Sequence, residues 1–486
     1  MSDKKNWSKY QKAVFENVAT GTGHTVVKAV AGSGKTTTIV EALSHIPAGC
    51  RTLFVAFNKA IAEELKKRAP RGVEVSTLHS YGLKTITRSL GRLRIDAHRV
   101  DDMARAMHGN DSKTWDLRRD LAKTVSLAKG ALAADETEID AIIDAFGIES
   151  AKNGARPEFI QDVLKLLLQC TEVSEDGRID FDDMIWLPIV LNLSQSQFDR
   201  VFVDETQDLN PAQIEMTMRA VKTDGRICAV GDPRQAIYRF RGADSAAVDN
   251  VVSRLQATVL PLSVCYRCCK TVIRTAQEVV PEIEWAPDAE DGIVSDSSVS
   301  ELKSRDGAQP GDFVLSRTNA PLISLCLYFL KEGRPATIQG RDIGASLAAF
   351  VKKSAARSVT ELCVYVEEWR DMECERLSKK HRDTQAVEDR TDCILALSEG
   401  ARTVADVINR IESLFADKDD QARIVLSTTH KAKGMERDRV WMLQSTYRRR
   451  PEVEEDNLYY VAVTRARKIL FLVEGDFRKK DRQWVS

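Results

Sequence analysis

Long apolar stretches are missing from this chain. No run approaches the roughly 18 consecutive apolar residues that a membrane helix needs, which excludes a helical membrane protein. The opening segment, MSDKKNWSKYQ, lacks the apolar core of a secretory signal. An excess of one charge is missing too, since 71 Lys and Arg stand against 72 Asp and Glu. Net charge therefore advertises no nucleic-acid partner, although a basic groove within an acidic exterior is compatible with these totals. Low-complexity linkers and internal repeats are absent, and the 13 prolines and 25 glycines are spread thinly. Cysteine, at ten, is unremarkable for a reducing compartment. Cys265, Cys268 and Cys269 include a Cys-x-x-Cys spacing, but no second Cys or His pair lies nearby to close a tetrahedral metal site. The expectation is an intracellular protein that is not secreted and has no membrane partner. Its place would be the cytoplasm or nucleoid, or the nucleus in a eukaryote.

What is present is the composition of an ordinary soluble protein, 43% hydrophobic and 29% charged. The 486 residues exceed one hydrophobic core and suffice for about three or four compact units. Short apolar runs between turn signals predict buried strands at Thr25–Val30, Thr52–Phe57, Val201–Asp204, Arg226–Val230, Gly311–Ser316, Ile424–Thr429, Val440–Leu443 and Ile469–Val473. Helical patterns lie between them, which predicts an α/β fold with largely parallel sheets. Two regions break the alternation with helical patterns alone. The resulting division is a first α/β lobe over 1–85 and 179–260 with a helical insertion at 86–178. A second lobe follows over 261–344 and 416–486, with a helical insertion at 345–415.

The segment Ala29-Val30-Ala31-Gly32-Ser33-Gly34-Lys35-Thr36 follows a strand pattern and precedes a helical one, the context of a phosphate-binding loop. Gly32 and Gly34 let backbone amides turn in on phosphate oxygens at a helix N-terminus. Lys35 reaches the β- and γ-phosphates, and the Thr36 hydroxyl holds Mg²⁺. Ala31, Ser33 and Thr37 complete the expected contact segment. The strict pattern has glycine where Ala29 stands, and the bland alternative is a Gly-rich turn with an incidental Lys-Thr. An acidic partner follows: Val201-Phe202-Val203 reads as a buried strand, with Asp204 emerging at its carboxyl end toward the Mg²⁺ shell. Glu205, next in line, can orient and deprotonate an attacking water. Together the two segments point to hydrolysis of a nucleoside triphosphate.

With these residues in place, the chain from about residue 7 to 471 resembles the superfamily I helicases of the UvrD/Rep/PcrA type. Asp204-Glu205-Thr206-Gln207-Asp208 is similar to that family's DExQD box. Gly231-Asp232-Pro233-Arg234-Gln235, continuing through Tyr238, Phe240 and Arg241, is similar to its third motif. The resemblance implies two RecA-like lobes, each with an inserted mainly helical subdomain, and ATP hydrolysis in the cleft between them. It implies that Gln235 senses the γ-phosphate and that Tyr238, Phe240 and Arg241 face a DNA strand, an aromatic stacking platform. Tyr266-Arg267 resembles the fourth motif, with Tyr266 on adenine and Arg267 on the γ-phosphate, and makes the neighbouring cysteines incidental. Thr429-His430-Lys431, followed by Lys433-Gly434 and Glu436, resembles the fifth. Thr429, His430 and Lys431 would meet the DNA, while Gly434 and Glu436 would face the nucleotide, Glu436 at the ribose. Thr464-Arg465 belongs to a sixth-motif segment, with Arg465 a second arginine finger. Gln11 stands where the family places its adenine-reading glutamine. Phe57-Asn58, Thr77 with His79, and Arg317 with Asn319 resemble further DNA-contacting segments, and Ile179–Asp183 resembles a structural one.

By the same resemblance, the Lys433-Gly434 form implies movement 3′ to 5′ along DNA. ATP and Mg²⁺ are the implied cofactors. Single-stranded DNA, and duplex carrying a single-stranded tail, are the implied partners, with protein partners through the helical insertions. The second insertion is short, and the chain ends about twenty residues after Arg465, which favours translocation over duplex unwinding. The compact layout looks closest to the motor part of the F-box DNA helicase group, without an F-box. Three alternatives remain in view. One is a DNA-stimulated ATPase that displaces proteins without opening duplexes. A GTPase switch would need an NKxD loop, which Asn58-Lys59-Ala60-Ile61 lacks. A non-catalytic assembly platform would need a broken catalytic position, and Lys35, Thr36, Asp204, Glu205, Gln235, Arg267 and Arg465 are all intact.

Overall fold

Runs such as Val26-Val27 and Leu53-Phe54-Val55 have no solvent-facing side, which suits strands covered by helices on both faces. A computed structural model describes residues 6–111, 114–148, 150–151, 156–173, 177–237, 247–379, 384–416, 422–447 and 453–475. The chain divides into two compact units, Met1–Ser263 and Val264–Ser486.

The first unit is built on a six-stranded sheet. Its strands are β1 (Thr25–Ala29), β2 (Thr52–Ala56), β3 (Val73–Thr77), β4 (Phe198–Val203), β5 (Val221–Gly231) and β6 (Thr258–Leu262). They lie in the order β3-β2-β4-β5-β1-β6, all pairs parallel, with Thr25 opposite Cys228 and Leu53 opposite Val201. Helices α1 (Lys9–Thr20), α2 (Lys35–Ala42), α3 (Lys59–Arg68) and α4 (Leu78–Leu90) alternate with the early strands. Because every strand runs the same way, the loops after β1, β4 and β5 emerge side by side at one edge. That edge is where open parallel sheets bind ligands.

Four helices stand apart from the sheet: α5 (Arg99–His108), α6 (Trp115–Ala131), α7 (Glu136–Phe146) and α8 (Arg156–Thr171). They share their own core around Leu121, Val125, Ile139, Phe159 and Val163. A two-residue parallel pair, Arg94–Ile95 against Arg178–Ile179, frames their entry and exit. A buried ionic knot ties them to α9 (Asp183–Val190). Arg99 Nη1 lies 2.7 Å from Asp183 Oδ2, and Lys129 Nζ lies 2.6 Å from Asp180 Oδ2 and 2.7 Å from Asp183 Oδ1. Burial works against the Lys129 ammonium, but the two carboxylates outweigh it and hold its pKa above the usual range. Helix α9 then packs so tightly on α4 that a Cβ at Gly82 would fall 1.8 Å from the Met184 carbonyl oxygen.

The second unit carries a seven-stranded, all-parallel sheet. Its strands are β7 (Ile293–Ser298), β8 (Phe313–Ser316), β9 (Ala336–Gln339), β10 (Phe415–Ala416), β11 (Ile424–Thr428), β12 (Arg437–Leu443) and β13 (Ala466–Glu474), in the order β7-β13-β12-β8-β11-β9-β10. Helices α10 (Arg341–Lys353), α11 (Val359–Ser378), α12 (Gln385–Ser398) and α13 (Val404–Leu414) fill the interval between β9 and β10. Unlike the helices of the first unit, they share one core with their sheet: Leu362, Ile394 and Val407 pack in the same cluster as Val314, Ile338 and Leu426.

Parallel α/β architecture in two lobes follows the expectation. Besides the two-residue β10, the sequence expectation omits β3, β6, β7 and β9. Three of these are sheet edges, where half-exposed positions tolerate polar residues and dilute the apolar run, as in Ile293–Ser298. The fourth, Ala336–Gln339, is only four residues long. Among the described residues, no helix is long and apolar enough to cross a membrane.

Candidate functional site

The loop after β1 turns through two left-handed glycines, Gly32 (φ 67°) and Gly34 (φ 74°), and Gly34 caps α2. A side chain with a Cβ would be strained at either place. Thr38 anchors the first helical turn, its backbone N–H and its hydroxyl both donating to the Gly34 carbonyl at 2.8 and 2.9 Å. Gln11, 5% exposed, donates from Nε2 to Thr38 Oγ1 at 3.0 Å and accepts from the Ser8 backbone N–H at 3.0 Å. The glutamine expected to read adenine therefore also braces the phosphate loop in this structure. Ser33 is buried within that loop, and its hydroxyl has no hydrogen-bond partner. An unsatisfied hydroxyl between two inward-turned glycines suits an incoming phosphate oxygen.

The acidic end comes from the loops after β4 and β5. Thr36 Oγ1 donates to Asp204 Oδ2 at 3.3 Å, which sets one hydroxyl and one carboxylate side by side. That oxygen pair fits a hard divalent cation such as Mg²⁺. Asp204 is 2% exposed; burial, and then the neighbouring Glu205, push its carboxyl up to about 7 against the pull of Lys35. Asp232 is also pushed up by burial, and Lys35 opposes that shift too. The Lys35 ammonium thus acts on both buried acids. Glu205 itself sits in the left-handed region (φ 51°), a conformation costing about 1–3 kcal/mol for a non-glycine residue.

A polar chain holds this strained carboxylate. Gln207 donates from Nε2 to Glu205 Oε2, and its Oε1 accepts from the Asp232 backbone N–H at 3.0 Å. Asp232 Oδ2 in turn accepts from Gln235 Nε2 at 2.7 Å. Gln235, expected as a phosphate sensor, is thereby linked through two buried residues, Asp232 and Gln207, to the expected water-activating carboxylate. The sequence expectation assigned no role to Gln207 or Asp232. Their burial, with each only 1% exposed, is the signal, and it is not visible in the sequence.

The expected strand-facing residues of this unit are scattered along the same sheet edge. Phe57, after β2, is 42% exposed, and Asn58 caps α3 by accepting from the Ile61 N–H at 2.9 Å. Thr77, the last residue of β3, caps α4 by accepting from the Ser80 N–H at 3.2 Å. His79 is half-buried, and burial lowers its pKa. Tyr238, Phe240 and Arg241 lie outside the described residues.

In the second unit the expected nucleotide-facing residues cluster around Arg465. Arg465 is 1% exposed, and burial first, then Arg267, bring its pKa down to about 10. It donates from Nε to the Val461 carbonyl at 2.8 Å, from Nη1 to the Met435 carbonyl at 3.0 Å and from Nη2 to Thr464 Oγ1 at 3.2 Å. Arg267 pairs through Nε with Glu436 and reaches the Thr464 carbonyl at 3.5 Å. Glu436, expected at a ribose, is thus engaged with Arg267. Gly434 is exposed with φ 88°, and Tyr266 is 44% exposed.

The remaining expected DNA contacts of this unit are partly occupied. Arg317 makes a two-pronged pair with Glu455, at 3.0 Å from Nε and 2.9 Å from Nη2. Asn319 is held by Asp389, which accepts from its backbone N–H and its side-chain Nδ2, each at 2.9 Å. Lys431 pairs with Asp342 at 2.7 Å, and His430 beside it is half-buried. Thr429 departs from expectation: its side chain is fully buried and its hydroxyl lies 2.5 Å from Tyr447 Oη, so it presents no hydroxyl to a DNA strand. Thr429 opens a helical turn at the end of β11, and that position faces the core.

Comparison with known proteins gives the family. A family model described as the UvrD/REP helicase N-terminal domain matches residues 9–255, and one described as the UvrD-like helicase C-terminal domain matches 334–474. The ATP-dependent DNA helicase PcrA of Bacillus subtilis is 28% identical over 299 residues, which cover 54% of this chain and 38% of that protein. PcrA of Staphylococcus aureus is 26% identical over 298 residues, covering 54% of this chain and 39% of the relative. The ATP-dependent DNA helicase Rep of Escherichia coli is 28% identical over 254 residues, covering 46% and 36%. The matched part of the chain thus spans less than two fifths of these relatives' own length. Because the first family model alone takes in more than half of its residues, the chain belongs to the UvrD/Rep helicase family.

Proposed function

We propose that this chain is an ATP-dependent motor that moves 3′ to 5′ along single-stranded DNA and opens duplexes carrying a single-stranded tail. The observation that carries the proposal is the polar chain from Gln235 through Asp232 and Gln207 to Glu205, set beside the Lys35 and Thr36 loop at the carboxyl ends of adjacent parallel strands. Phosphate binding alone needs only the loop; a held carboxylate next to it is suited to take a proton from water. Mg²⁺ held by Thr36 and Asp204 would neutralise charge on the phosphates. Lys35 and the loop amides orient those phosphates, and Gln235 registers the terminal one. Arg267 and Arg465 supply further positive charge, each giving up an acceptor it now holds. Adenine preference rests on Gln11 and Tyr266 and on the similarity to ATP-dependent relatives.

The DNA-facing part rests on resemblance. Bases stacking on Tyr238 and Phe240 would contribute about 1–3 kcal/mol each without reading sequence. Binding through Arg241 and the other cationic residues would weaken steeply with salt. Polarity rests on the Lys433-Gly434 form. The test is strand displacement on partial duplexes with either a 3′ or a 5′ single-stranded tail, with ATP and Mg²⁺, comparing wild type with Glu205→Gln. Opening of the 3′-tailed duplex alone, lost in the variant, is the expected result. DNA-stimulated ATPase with neither duplex opened would replace the helicase with a translocase. Absence of ATPase with and without DNA would overturn the motor.

A further inference from the structure

Glu455 has no part in the proposed hydrolysis or in the expected strand contacts, yet it holds a residue of one and stands on the helix that leads to a residue of the other. Arg317 lies just past β8, and its backbone N–H donates to Thr446 Oγ1 at 3.1 Å. That hydroxyl donates in turn to the Leu443 carbonyl at 2.7 Å, which staples the Arg317 backbone to the end of β12. The guanidinium turns to Glu455: Nε and Nη2 donate to Oε1 at 3.0 and 2.9 Å, and Nε also reaches Oε2 at 3.4 Å. The two side chains are 26% and 14% exposed, so the pair is sheltered but not sealed from water.

Glu455 stands in the first turn of the helix Val453–Val463. One turn on, Tyr459 meets the Tyr447 ring edge-on at 6.4 Å, and the Tyr447 hydroxyl lies 2.5 Å from Thr429 Oγ1. From Leu458 onward the helix is buried throughout, which makes it a stiff strut rather than a surface coil. Val461, six residues and about 9 Å beyond Glu455, supplies the carbonyl that Arg465 Nε holds at 2.8 Å. Thr464, just past the helix end, supplies the hydroxyl on Arg465 Nη2 and bonds back to the Tyr460 carbonyl at 2.9 Å. One end of the strut is thus tied to Arg317, and the other end carries two of the acceptors on Arg465.

We propose that Glu455 is a positioning residue: its pair with Arg317 keeps this helix, and Arg465 with it, in a resting arrangement that a DNA phosphate releases by taking Arg317. The proposal rests on the motor reading above, in which Arg317 meets the strand and Arg465 the terminal phosphate of ATP. A guanidinium fork matches a carboxylate or a phosphate but cannot grip both with the same donors, so the two contacts exclude each other. With Glu455 freed, the helix loses its tie to the end of β8, and Arg465 gives up its acceptors more readily. A single contact then opposes both strand binding and the release of Arg465, and linkage makes the two effects equal in size. A partly exposed pair shifts such an equilibrium by up to about fivefold. A contact that only held the fold together would not raise a rate or tighten a ligand when removed.

The experiment measures ATP turnover of the full chain with and without an oligothymidylate strand, and binding of that strand by fluorescence anisotropy. Glu455→Gln should raise turnover without DNA, and tighten the strand, each by up to about fivefold. Arg317→Ala should raise turnover without DNA in the same way but weaken the strand. Adding Glu455→Gln to Arg317→Ala should change neither quantity further, because the contact is already gone. Turnover without DNA that stays level or falls in Glu455→Gln, or a strand bound no more tightly, would overturn the proposal. A wild-type chain with no ATPase, with or without DNA, would overturn the motor reading instead, and the binding titrations would still decide whether Glu455 keeps Arg317 from a strand.

Discussion

Replacing Gln207 with leucine tests whether the polar chain holds Glu205 in a working position. Leucine fills nearly the same volume but offers neither the amide donor that meets Glu205 nor the oxygen that accepts the Asp232 N–H at 3.0 Å. Asp232 is 1% exposed, so its amide would lose its acceptor without gaining water. A buried donor left unpaired in this way costs about 1–3 kcal/mol of stability. The larger effect should fall on rate. Glu205 keeps its left-handed backbone but loses the donor that points its carboxylate, and misplacing a reacting group by about 1 Å costs on the order of a hundredfold. Nucleotide affinity should hold, because Lys35 and the phosphate-loop amides make no contact through Gln207. The assays are urea unfolding, titration with a fluorescent ATP analogue, and steady-state DNA-stimulated ATPase. A variant that loses the predicted stability yet keeps wild-type kcat would refute the claim that Gln207 orients the water-activating carboxylate.

Two further outcomes follow from buried charge. Asp183→Ala removes the carboxylate that Arg99 and Lys129 share while Asp180 stays on Lys129, and breaking such a buried pair typically costs about 3–5 kcal/mol, readable by urea unfolding; a loss well under 1 kcal/mol would mean that water already reaches the knot. The Asp204 carboxyl, raised to about 7, keeps its proton where the unfolded chain has released it. Its stabilising contribution is full below about pH 4 and is lost as pH rises through about 7. The melting temperature of the nucleotide-free chain should therefore fall over that window more steeply in wild type than in Asp204→Asn, and identical slopes would show Asp204 already ionised.

Individual strands came through the sequence mainly where they are interior. β1, β2 and β4 sit inside the first sheet, each with an uninterrupted apolar run such as Val26-Val27, Leu53-Phe54-Val55 or Val201-Phe202-Val203, so their runs announce themselves. Edge strands do not: β3 alternates Val with Glu and Ser, and β6 carries a proline whose missing N–H is tolerated only where no neighbour needs it. The different packing of the two helical regions was equally hidden. Both read as amphipathic helices, yet α5–α8 close a core of their own while α10–α13 share the core of their sheet. Which partner an apolar face meets is a long-range fact, and periodicity carries only local information.

The candidate site shows the same division between chemistry and circumstance. The placement of Lys35, Thr36, Asp204 and Glu205 is legible because it depends on local order along the chain: a glycine turn before a helix, an acid at a strand's end. Arg465 and Thr429 are not legible in that way. A motif states that an arginine is needed, but its present bonds to the Val461 and Met435 carbonyls depend on where three separated segments come together. Those bonds have an energetic consequence. A buried guanidinium whose pKa is already drawn down to about 10 by burial is held by neutral carbonyls and a hydroxyl, with no carboxylate among the bonded acceptors. Neutral acceptors compensate a cation less well than an anion does. Under the proposed function, Arg465 would therefore gain more from meeting a phosphate than Arg267, which would first have to give up its carboxylate partner Glu436.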